Sequence, residues 1–450
     1  MKLQLPSKLL LGSATAATQI EGGDRNSNWF HWSEKGMIAR GESSIVAADH
    51  YNRYEEDIAI MQSLNQEIYR MSIEWSRIEP RRGQWSQEGI DHYRHELALL
   101  KEAGIAPLVT LHHFSHPQWF EDMGAWTAKE SVDLFVRFTK KVVAEMGDLI
   151  DEYCTINEPN VFLNDTYMDG KYPPGKKDDI ASYFKAAKNL ILAHLEAYET
   201  IHCMRNSKGY TSTRVGIAHH LAYFESRTTK PLNRLSKKLM DYSFHKLFFL
   251  GMVEGKLSFP IGSGYPLSEG RYCDFIGVNY YSRHLIHSSK NPAMLFGQVK
   301  VEAGLPDHKV NDLGWEIYPE GLFKVIKEVY DTYQIPIYIT ENGIPDAKDQ
   351  KRAKFIYDHL VQVCKLVESG VDVQRYYHWS LLDNMEWDDG YGPRFGLVEV
   401  NYETLERTIR PSGHFYGDIC KTKAVSQEAF DRYVKTTGNE SDKGQGREEV

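Results

Sequence analysis

The 450-residue sequence lacks the features that assign a chain to several common classes of protein. No stretch approaches the roughly 18 consecutive apolar residues that a membrane-spanning helix requires. Basic residues are not in excess, since 53 Lys and Arg stand against 62 Asp and Glu and give a net charge of −9. A chain of this charge has no basic field to attract phosphate backbones or anionic lipid, so we expect neither a nucleic-acid partner nor a membrane partner.

Cysteine is also scarce, and its arrangement argues against two kinds of cross-link. The five cysteines are odd in number, far apart and without CxxC or CxxH spacing: Cys154, Cys203, Cys273, Cys364 and Cys420. This pattern indicates neither a disulfide framework nor a zinc site and favours a reducing compartment. The apolar run at positions 9–11 is too short for the hydrophobic region of a signal peptide. We therefore predict a cytoplasmic protein, with no metal and no other cofactor.

Short apolar runs alternate with longer amphipathic segments along the whole chain. The pattern predicts strands at 9–14, 67–73, 106–112, 152–157, 214–219, 275–280, 335–340 and 373–379. Helices are predicted between them, among others at 88–103, 128–146, 180–203, 319–332 and 353–369. Eight strand–helix pairs favour an α/β fold with a single closed (β/α)8 TIM barrel over an open sheet.

The domain organisation follows from what interrupts this alternation. Length alone, at roughly 150 residues per domain, would allow three domains. No internal repeat or low-complexity linker marks a boundary, so we predict one catalytic barrel domain over 1–435. Two longer stretches, 223–270 and 282–315, are predicted to be elaborations of loops on the barrel rim. The polar residues 436–450 are predicted to form a disordered tail.

In barrels of this kind the active site lies at the carboxyl ends of the strands, so the polar residues there are the first candidates. Such residues follow each predicted strand: Gln19 and Glu21, Arg70 and Glu74, His112 and His113, Asn157 and Glu158, His219 and His220, Asn279 and Tyr281, Glu341 and Asn342, and Trp379. We therefore expect one polar site to which many strands contribute.

Two carboxylates in this set, Glu158 and Glu341, stand at the exits of strands 4 and 7 on opposite walls. A glutamate at a strand end is often a partner in a structural ion pair. A pair across a barrel mouth, however, suits an acid and a nucleophile on either side of a glycosidic bond. A separation of about 5–5.5 Å would give cleavage with retention of configuration, and a wider gap would give inversion.

Arg70 and the histidines each have two interpretations. Arg70 is either an ordinary salt-bridge residue or a cation that keeps Glu341 ionised, as a nucleophile should be. His112 and His113 are adjacent on a strand and point to opposite faces, so they are poorly placed to share a metal ion. We interpret His113 as a ligand of sugar hydroxyls, and His112, His116, His219 and His220 as hydrogen-bonded or rim residues.

Aromatic residues are abundant, with 9 Trp, 27 Tyr and 19 Phe, and one aromatic segment is suited to sugar binding. Residues 379–395 combine Trp379 and Trp387 with Glu386 and Phe395 in a glycine-punctuated loop. A sugar has apolar ring faces and a polar hydroxyl edge, which flat aromatic faces and a bidentate carboxylate match. Core packing is the alternative interpretation for Trp379.

Together these segments resemble the family 1 glycoside hydrolases, which are retaining β-glucosidases and relatives with (β/α)8 folds. The resemblance covers about residues 9–416. The motifs that carry it are ATAATQIEG at 14–22, RMSIEWSR at 70–77, TINEP at 155–159, DFIGVNYY at 274–281, IYITENG at 337–343 and WSLLDNMEW at 379–387. The order of TINEP and ITENG is highly specific to this family.

The resemblance implies a role for each of the candidate residues. Glu158 matches the general acid/base and Glu341 the nucleophile, which Arg70 and Tyr281 support. The residues that contact the substrate are then Gln19, His113, Asn157, Asn279, Tyr281, Trp379, Glu386, Trp387 and Phe395. Among them Asn157 is expected to reach the sugar 2-hydroxyl.

Substrate class is partly implied as well. Glu386 would accept hydrogen bonds from the 4- and 6-hydroxyls, and its negative charge would repel a 6-phosphate, which disfavours the 6-phospho-glycosidase branch. A glutamate at position 158 disfavours the myrosinase branch. Asn160 stands where many relatives carry Trp, and HHFS at 112–115 replaces a more usual YHWD. These departures leave the aglycone preference open, although Trp315 is a candidate platform on that side.

The predicted function is a retaining exo-β-glycosidase that hydrolyses terminal non-reducing β-D-glucosyl residues of small glycosides and oligosaccharides, with galactosyl and fucosyl residues as further candidates. A transglycosidase would use the same residues. A non-catalytic sugar-binding barrel is a second alternative, which the presence of both glutamates disfavours. A metal-dependent barrel hydrolase is a third and would be inhibited by chelators. The sequence does not predict an oligomeric state.

Overall fold

A computed structural model describes residues 1–289, 297–300 and 304–435. The predicted disordered tail, 436–450, lies outside the described residues. At the centre is a closed barrel of eight parallel strands. We number them β1 to β8 in chain order: Leu10–Ala14, Ile68–Ser72, Ala106–His112, Glu152–Asn157, Arg214–His220, Phe275–Tyr280, Ile337–Asn342 and Val373–Trp379. Each strand pairs with its neighbours along the chain, and β8 closes the barrel onto β1. The predicted (β/α)8 fold is confirmed.

Four predicted strands have the observed bounds, and the clearest difference is at β7. The prediction ended this strand at Thr340, whereas it runs to Asn342. Its pairing with β6 shifts register between Ile339 and Glu341. A bulge of this kind re-aims the side chains that follow it, and here it precedes Glu341.

The five helices predicted above are confirmed with small changes in their ends: Gln87–Glu102, Ser131–Met146, Ile180–Ser207, Pro319–Tyr333 and Arg352–Glu368. Two of them begin at side-chain caps. Ser86 accepts a hydrogen bond from the Gly89 amide, and Asp179 accepts one from the Ser182 amide. Such caps satisfy amide groups that have no partner within the helix. The helices surround a core that is continuous with the barrel wall.

Shorter helices complete the shell: Ala17–Ile20, Asn28–Glu34, His50–Ser63, Trp75–Ile78, Gln118–Asp122, Pro159–Leu163, Pro231–Asp241, Leu247–Met252, Pro411–Thr422 and Gln427–Ala429. Within the described part of the chain, no helix is long and apolar enough to cross a membrane. Two small antiparallel sheets pair Leu3–Gln4 with Ala424–Val425 and Val398–Val400 with Arg407–Ile409.

The two long predicted elaborations form one structure at the barrel rim. After β5 the chain forms a strand at Tyr223–Ser226, and after β6 it forms strands at Arg283–Ser288 and Gly297–Lys300. These three strands make a small sheet, against which helix Pro231–Asp241 packs. Because both loops leave neighbouring strands at the same end of the barrel, they lie beside the polar site predicted there.

Candidate active site

A cavity of about 310 Å³ opens at the carboxyl ends of the barrel strands and contains both predicted carboxylates. Nine predicted residues line it: His113, Asn157, Glu158, Tyr281, Glu341, Trp379, Glu386, Trp387 and Phe395. A larger cavity, of about 860 Å³, lies beside helices Pro319–Tyr333 and Arg352–Glu368 and is lined by neither Glu158 nor Glu341. The smaller cavity is therefore the candidate site.

Glu341 is held by donors on both carboxylate oxygens. Its Oε1 accepts a charge-assisted bond from the Arg70 guanidinium, and its Oε2 accepts the Tyr281 hydroxyl at 2.6 Å. Arg70 is fully buried and Glu341 nearly so. Two donors from β2 and from the end of β6 thus fix the carboxylate in one orientation, with its charge compensated by the arginine.

Glu158 is held in a different way. It follows β4 and precedes helix Pro159–Leu163 with a left-handed backbone, φ 40° and ψ 60°. This conformation is strained for a residue with a side chain, and such strain is concentrated at functional sites. Its Oε1 accepts the Asn279 amide at 2.7 Å and lies 3.4 Å from His220 Nδ1. Among the described residues Glu158 thus has an amide donor and a nearby histidine in place of the arginine and tyrosine of Glu341.

A hydrogen-bonded chain connects the two carboxyl groups through Asn157. The Asn157 Oδ1 accepts from Arg70 at 2.6 Å and from Asn279 at 3.1 Å. These two donors fix the orientation of the Asn157 amide, so its Nδ2 donates to His113 Nε2 at 3.0 Å. Burial and the charge of Arg70 hold the pKa of His113 well below its usual range. His113 is therefore a neutral acceptor in this chain.

The electrostatics of the two carboxyl groups are linked. Burial raises the pKa of the Glu341 carboxyl to about 7, and the charge of Glu158 acts in the same direction, whereas Arg70 and Tyr281 act to lower it. The protonation of Glu341 therefore depends on the charge of Glu158.

The far end of the cavity carries the residues predicted to bind a sugar. Trp379 Nε1 donates to Glu386 Oε1 at 3.3 Å, and the Trp379 and Trp387 rings stack near His113 at 5.8 and 6.0 Å. Burial raises the pKa of Glu386 to about 8. The Gln19 amide donates to Asn384 and to the Met385 carbonyl, and its buried Oε1 has no partner among the described residues.

Three predicted residues do not line the cavity. Arg70, Asn279 and Gln19 are fully buried behind its wall and contact residues that do line it or flank it. Arg70 also bonds Thr110 Oγ1 at 3.2 Å, and Thr340 donates to Asn279 Oδ1 at 2.6 Å. These residues hold the wall in place.

The histidines divide as strand geometry predicts. His112 accepts from Trp126 and packs against His116, on the side away from His113. His219 contacts Asn160 and His245, whereas its neighbour His220 lines the cavity. The interpretation of His220 as a rim residue missed its position beside Glu158. Among the described residues no group of three or more His, Cys, Asp or Glu is arranged to hold a metal ion.

Several other lining residues were not identified from the sequence: Asp165, Lys171, Tyr172, Phe244 and His284. No end of a barrel strand marks them, because four lie in loops or helices that follow a strand at some distance and His284 lies in the rim strand Arg283–Ser288. Trp315, the candidate platform, does line the cavity and lies 6.0 Å from Tyr281 and 6.4 Å from Phe395. Asn160 bonds His219 and the His220 carbonyl and does not line the cavity.

Comparison with known proteins agrees with this geometry. The model of glycosyl hydrolase family 1 matches residues 1–261 and 267–425. Beta-glucosidase A of Acetivibrio thermocellus is 34% identical over 452 residues, which covers 93% of this chain and 99% of that protein. The beta-glycosidase from Pyrococcus horikoshii superposes with a TM-score of 0.88 at 36% identity, over 96% of this chain and 98% of that one. The beta-glucosidase from Thermotoga maritima in complex with deoxynojirimycin gives 0.85 at 32% identity, over 95% and 100%.

Proposed function

Because this chain belongs to glycosyl hydrolase family 1 and is a β-glycosidase, we propose that it is a retaining, exo-acting enzyme that releases terminal β-D-glucosyl residues from small glycosides and oligosaccharides. Galactosyl and fucosyl residues are further candidates. The observation that carries the proposal is the unequal hydrogen bonding of the two carboxyl groups. Glu341 has an arginine and a tyrosine on its two oxygens, whereas Glu158 has an amide and a nearby histidine.

Unequal bonding favours unequal roles. The Arg70 guanidinium stabilises a negative charge on Glu341, so Glu341 is the proposed nucleophile and Glu158 the proposed proton donor. Glu158 can then protonate the leaving oxygen while Glu341 attacks the anomeric carbon, which breaks the glycosidic bond and forms a glycosyl ester on Glu341. Water, deprotonated by Glu158, then attacks the same carbon and releases the sugar and Glu341. Two inversions at one carbon give retention.

The exo-acting part of the proposal rests on the shape of the cavity. Arg70 is fully buried and bonds residues from three other strands, Thr110, Asn157 and Glu341, which supports a closed floor for the cavity. A volume of about 310 Å³ accommodates one sugar ring and little more. A chain end can enter such a cavity, while the middle of a polysaccharide cannot pass through it.

The environment of Glu386 bears on whether the substrate is a neutral or a phosphorylated sugar. An anionic carboxylate would repel a phosphate, but burial raises the pKa of Glu386 to about 8, which favours the neutral carboxylic acid near neutral pH. A neutral carboxylic acid still exchanges hydrogen bonds with sugar hydroxyls. It offers a phosphate no counter-charge, and the lining residue Lys171 interacts with Asp165 and Asp388 instead. We therefore retain the proposal of a non-phosphorylated substrate.

Two measurements test the proposal. A panel of p-nitrophenyl β-glycosides (glucoside, galactoside, fucoside, mannoside and 6-phosphoglucoside) at one pH gives the sugar preference, and faster turnover of the 6-phosphoglucoside than of the glucoside would contradict it. Proton NMR of the first-formed sugar gives the stereochemistry, and an initial α-product from a β-substrate would contradict retention. Transglycosylation, which uses the same residues, is distinguished by products longer than the substrate at high substrate concentration.

A further inference from the structure

The helix Pro231–Asp241 at the barrel rim is packed with its apolar side outward. Three of its leucines are exposed to solvent: Leu232 by 68%, Leu235 by 53% and Leu239 by 38%. The residues that it buries are polar, Asn233 and Ser236. A surface helix normally buries its leucines and exposes its polar residues. This helix exposes three leucines and buries two polar residues, while Met240 is its apolar contact with the cluster Ala222, Phe224 and Ile286.

The exposed leucines form one continuous surface. Positions 232, 235 and 239 are spaced by three and four residues, which places their side chains in one row along the helix. Tyr242 continues the row, and its hydroxyl donates to the Phe259 carbonyl at 2.6 Å. Phe259 is itself 83% exposed. We call Leu232, Leu235, Leu239 and Phe259 the leucine stripe.

The buried contacts of the helix keep the stripe outward. Asn233 Oδ1 accepts from the Ser288 amide at 2.9 Å, and Asn233 Nδ2 donates to Thr228 at 2.8 Å. The helix therefore joins the small rim sheet through directional bonds. Rotation that buried the leucines would break these bonds and leave buried polar groups without partners.

The segment that contains the helix carries a net charge opposite to that of the whole chain. Residues 227–246 carry six Lys and Arg and one Asp, while the chain as a whole has a net charge of −9. The acidic residue, Asp241, pairs with Lys246 at 3.1 Å. Arg234 and Lys238 are exposed on the same helix as the leucines. An apolar row flanked by basic side chains is the pattern of helices that lie in a membrane interface.

We propose that the leucine stripe docks on an anionic membrane surface, with the helix parallel to that surface. The leucines and Phe259 enter the headgroup region, and the surrounding basic residues contact anionic headgroups. A second copy of the chain fits less well, because a symmetric pairing of this face would bring two basic clusters together. We expected no membrane partner because the net charge of the whole chain is negative. That total does not reveal a local cluster of basic residues. The proposal does not rest on the proposed glycosidase function.

The test is sedimentation of the full chain with sucrose-loaded vesicles. Vesicles of phosphatidylcholine with one third phosphatidylglycerol should bind the protein at low salt, and pure phosphatidylcholine vesicles should bind it at least about tenfold less. Salt of about 0.5 M should weaken binding to the anionic vesicles, since it screens the basic cluster.

Variants locate the binding surface. The triple variant L232Q/L235Q/L239Q should lose at least about tenfold in vesicle partitioning, and R234E/K238E should lose a similar factor. Val46→Gln and Lys421→Glu, exposed substitutions outside this helix, are the matched controls and should bind as the unmodified chain does. Because all of these positions are exposed, every variant should keep the hydrolysis rate of a soluble aryl glycoside, which verifies folding.

Three results would overturn the proposal. The first is that the unmodified chain does not sediment with anionic vesicles at low salt. The second is that the triple leucine variant binds them as well as the controls do. The third is that sedimentation velocity finds a dimer that the leucine variant abolishes, with no vesicle binding by either protein, which would make the stripe a contact between copies of this chain.

Discussion

Both ends of the barrel contain a glutamate that is bonded to an arginine and a tyrosine. At the carboxyl-terminal end Glu341 is bonded to Arg70 and Tyr281, a set that we call the mouth triad. At the amino-terminal end Glu152 accepts from Arg375 at 2.9 Å and from Tyr338 at 2.8 Å, and these three form the base triad. The same three residue types therefore occur in two settings.

The two triads differ in how the donors are distributed over the carboxylate oxygens and in whether the carboxylate faces a cavity. In the base triad one oxygen, Oε1 of Glu152, accepts both donors. In the mouth triad the donors occupy one oxygen each, and the carboxylate also faces a cavity that contains Glu158. Residue types alone therefore do not distinguish a structural ion pair from a reactive group. A second carboxyl group and space for a substrate do.

The largest predicted effect comes from removing the glutamate of the mouth triad. In Glu341→Ala the group proposed to attack the anomeric carbon is absent, so the first chemical step is lost for every substrate, with kcat/KM lower by about 10⁴-fold or more. Added azide can then attack only from the face that Glu341 occupied, and a β-glycoside should give an α-glycosyl azide, identified by proton NMR. The control is Glu152→Gln in the base triad, which should keep activity within about twofold.

The second prediction separates the two carboxyl groups of the mouth. In Glu158→Ala the acid is absent, but a nitrophenolate leaves without protonation, so the glycosyl ester on Glu341 still forms and its hydrolysis slows by about 10²–10⁴-fold. Azide needs no general base, so it should restore turnover and give a β-glycosyl azide. A β-azide from the Glu341 variant, or an α-azide from the Glu158 variant, would mean that the two roles are reversed.

The third prediction concerns pH, and the base triad should not contribute to it. Burial raises the pKa of Glu341 to about 7, so below that pH the proposed nucleophile is protonated and kcat/KM should fall about tenfold per pH unit. In Glu158→Gln the like charge that helps to raise this pKa is gone, whereas burial, Arg70 and Tyr281 are unchanged. The acid-side midpoint of kcat/KM should therefore move to lower pH when a nitrophenyl substrate, which leaves without protonation, is measured from pH 4.5 to 9. A variant that kept the original acid-side midpoint would contradict the proposed linkage.

Much of the mouth could be predicted from the sequence, because strand periodicity places strand-end residues together regardless of their distance along the chain. Glu158 and Glu341 were found in this way, and the structure brings both to one cavity. Strand alternation also separated His112 from His113. The same reasoning could not distinguish the mouth triad from the base triad, since Glu152 is also a strand glutamate, at the opposite end of β4.

The remaining features depend on contacts that no periodicity encodes. The left-handed backbone of Glu158 and the bulge before Glu341 re-aim side chains after each strand ends. Asp165 and Lys171 reach the cavity from beyond a short helix. The protonation of Glu386 depends on its burial, which a sequence does not give. Its predicted position at the cavity is confirmed, but the negative charge expected for it is not favoured near neutral pH.

The smallest predicted effect is on stability, and it has opposite signs at the two ends of the barrel. Glu152→Gln removes the charge partner of the largely buried Arg375 and should lower the free energy of unfolding by about 1–3 kcal/mol. Glu386→Gln should raise it at pH 8, by about a few kcal/mol, because the unfolded chain releases the Glu386 proton and the folded chain retains it, whereas Gln does not ionise. Its activity on glucosides should fall by about 10–100-fold, since Glu386 is proposed to hydrogen-bond the sugar.

The pH dependence of this stability difference gives the sharper test. The pKa of Glu386 is raised from 4.5 to about 8 in the folded chain, so the native state binds the proton more tightly than the unfolded state does. By linkage, the unmodified chain loses stability relative to Glu386→Gln as the pH rises from 4.5 to 8. The difference in the free energy of unfolding between the two proteins is constant above that range. Thermal midpoints measured at pH 5 and pH 8 should therefore diverge for Glu386→Gln, in favour of the variant at pH 8. Glu386→Gln could instead destabilise the chain at pH 8, as Glu152→Gln is expected to do. That result would mean that an ionised glutamate stabilises both ends of the barrel, and it would contradict the predicted difference between them.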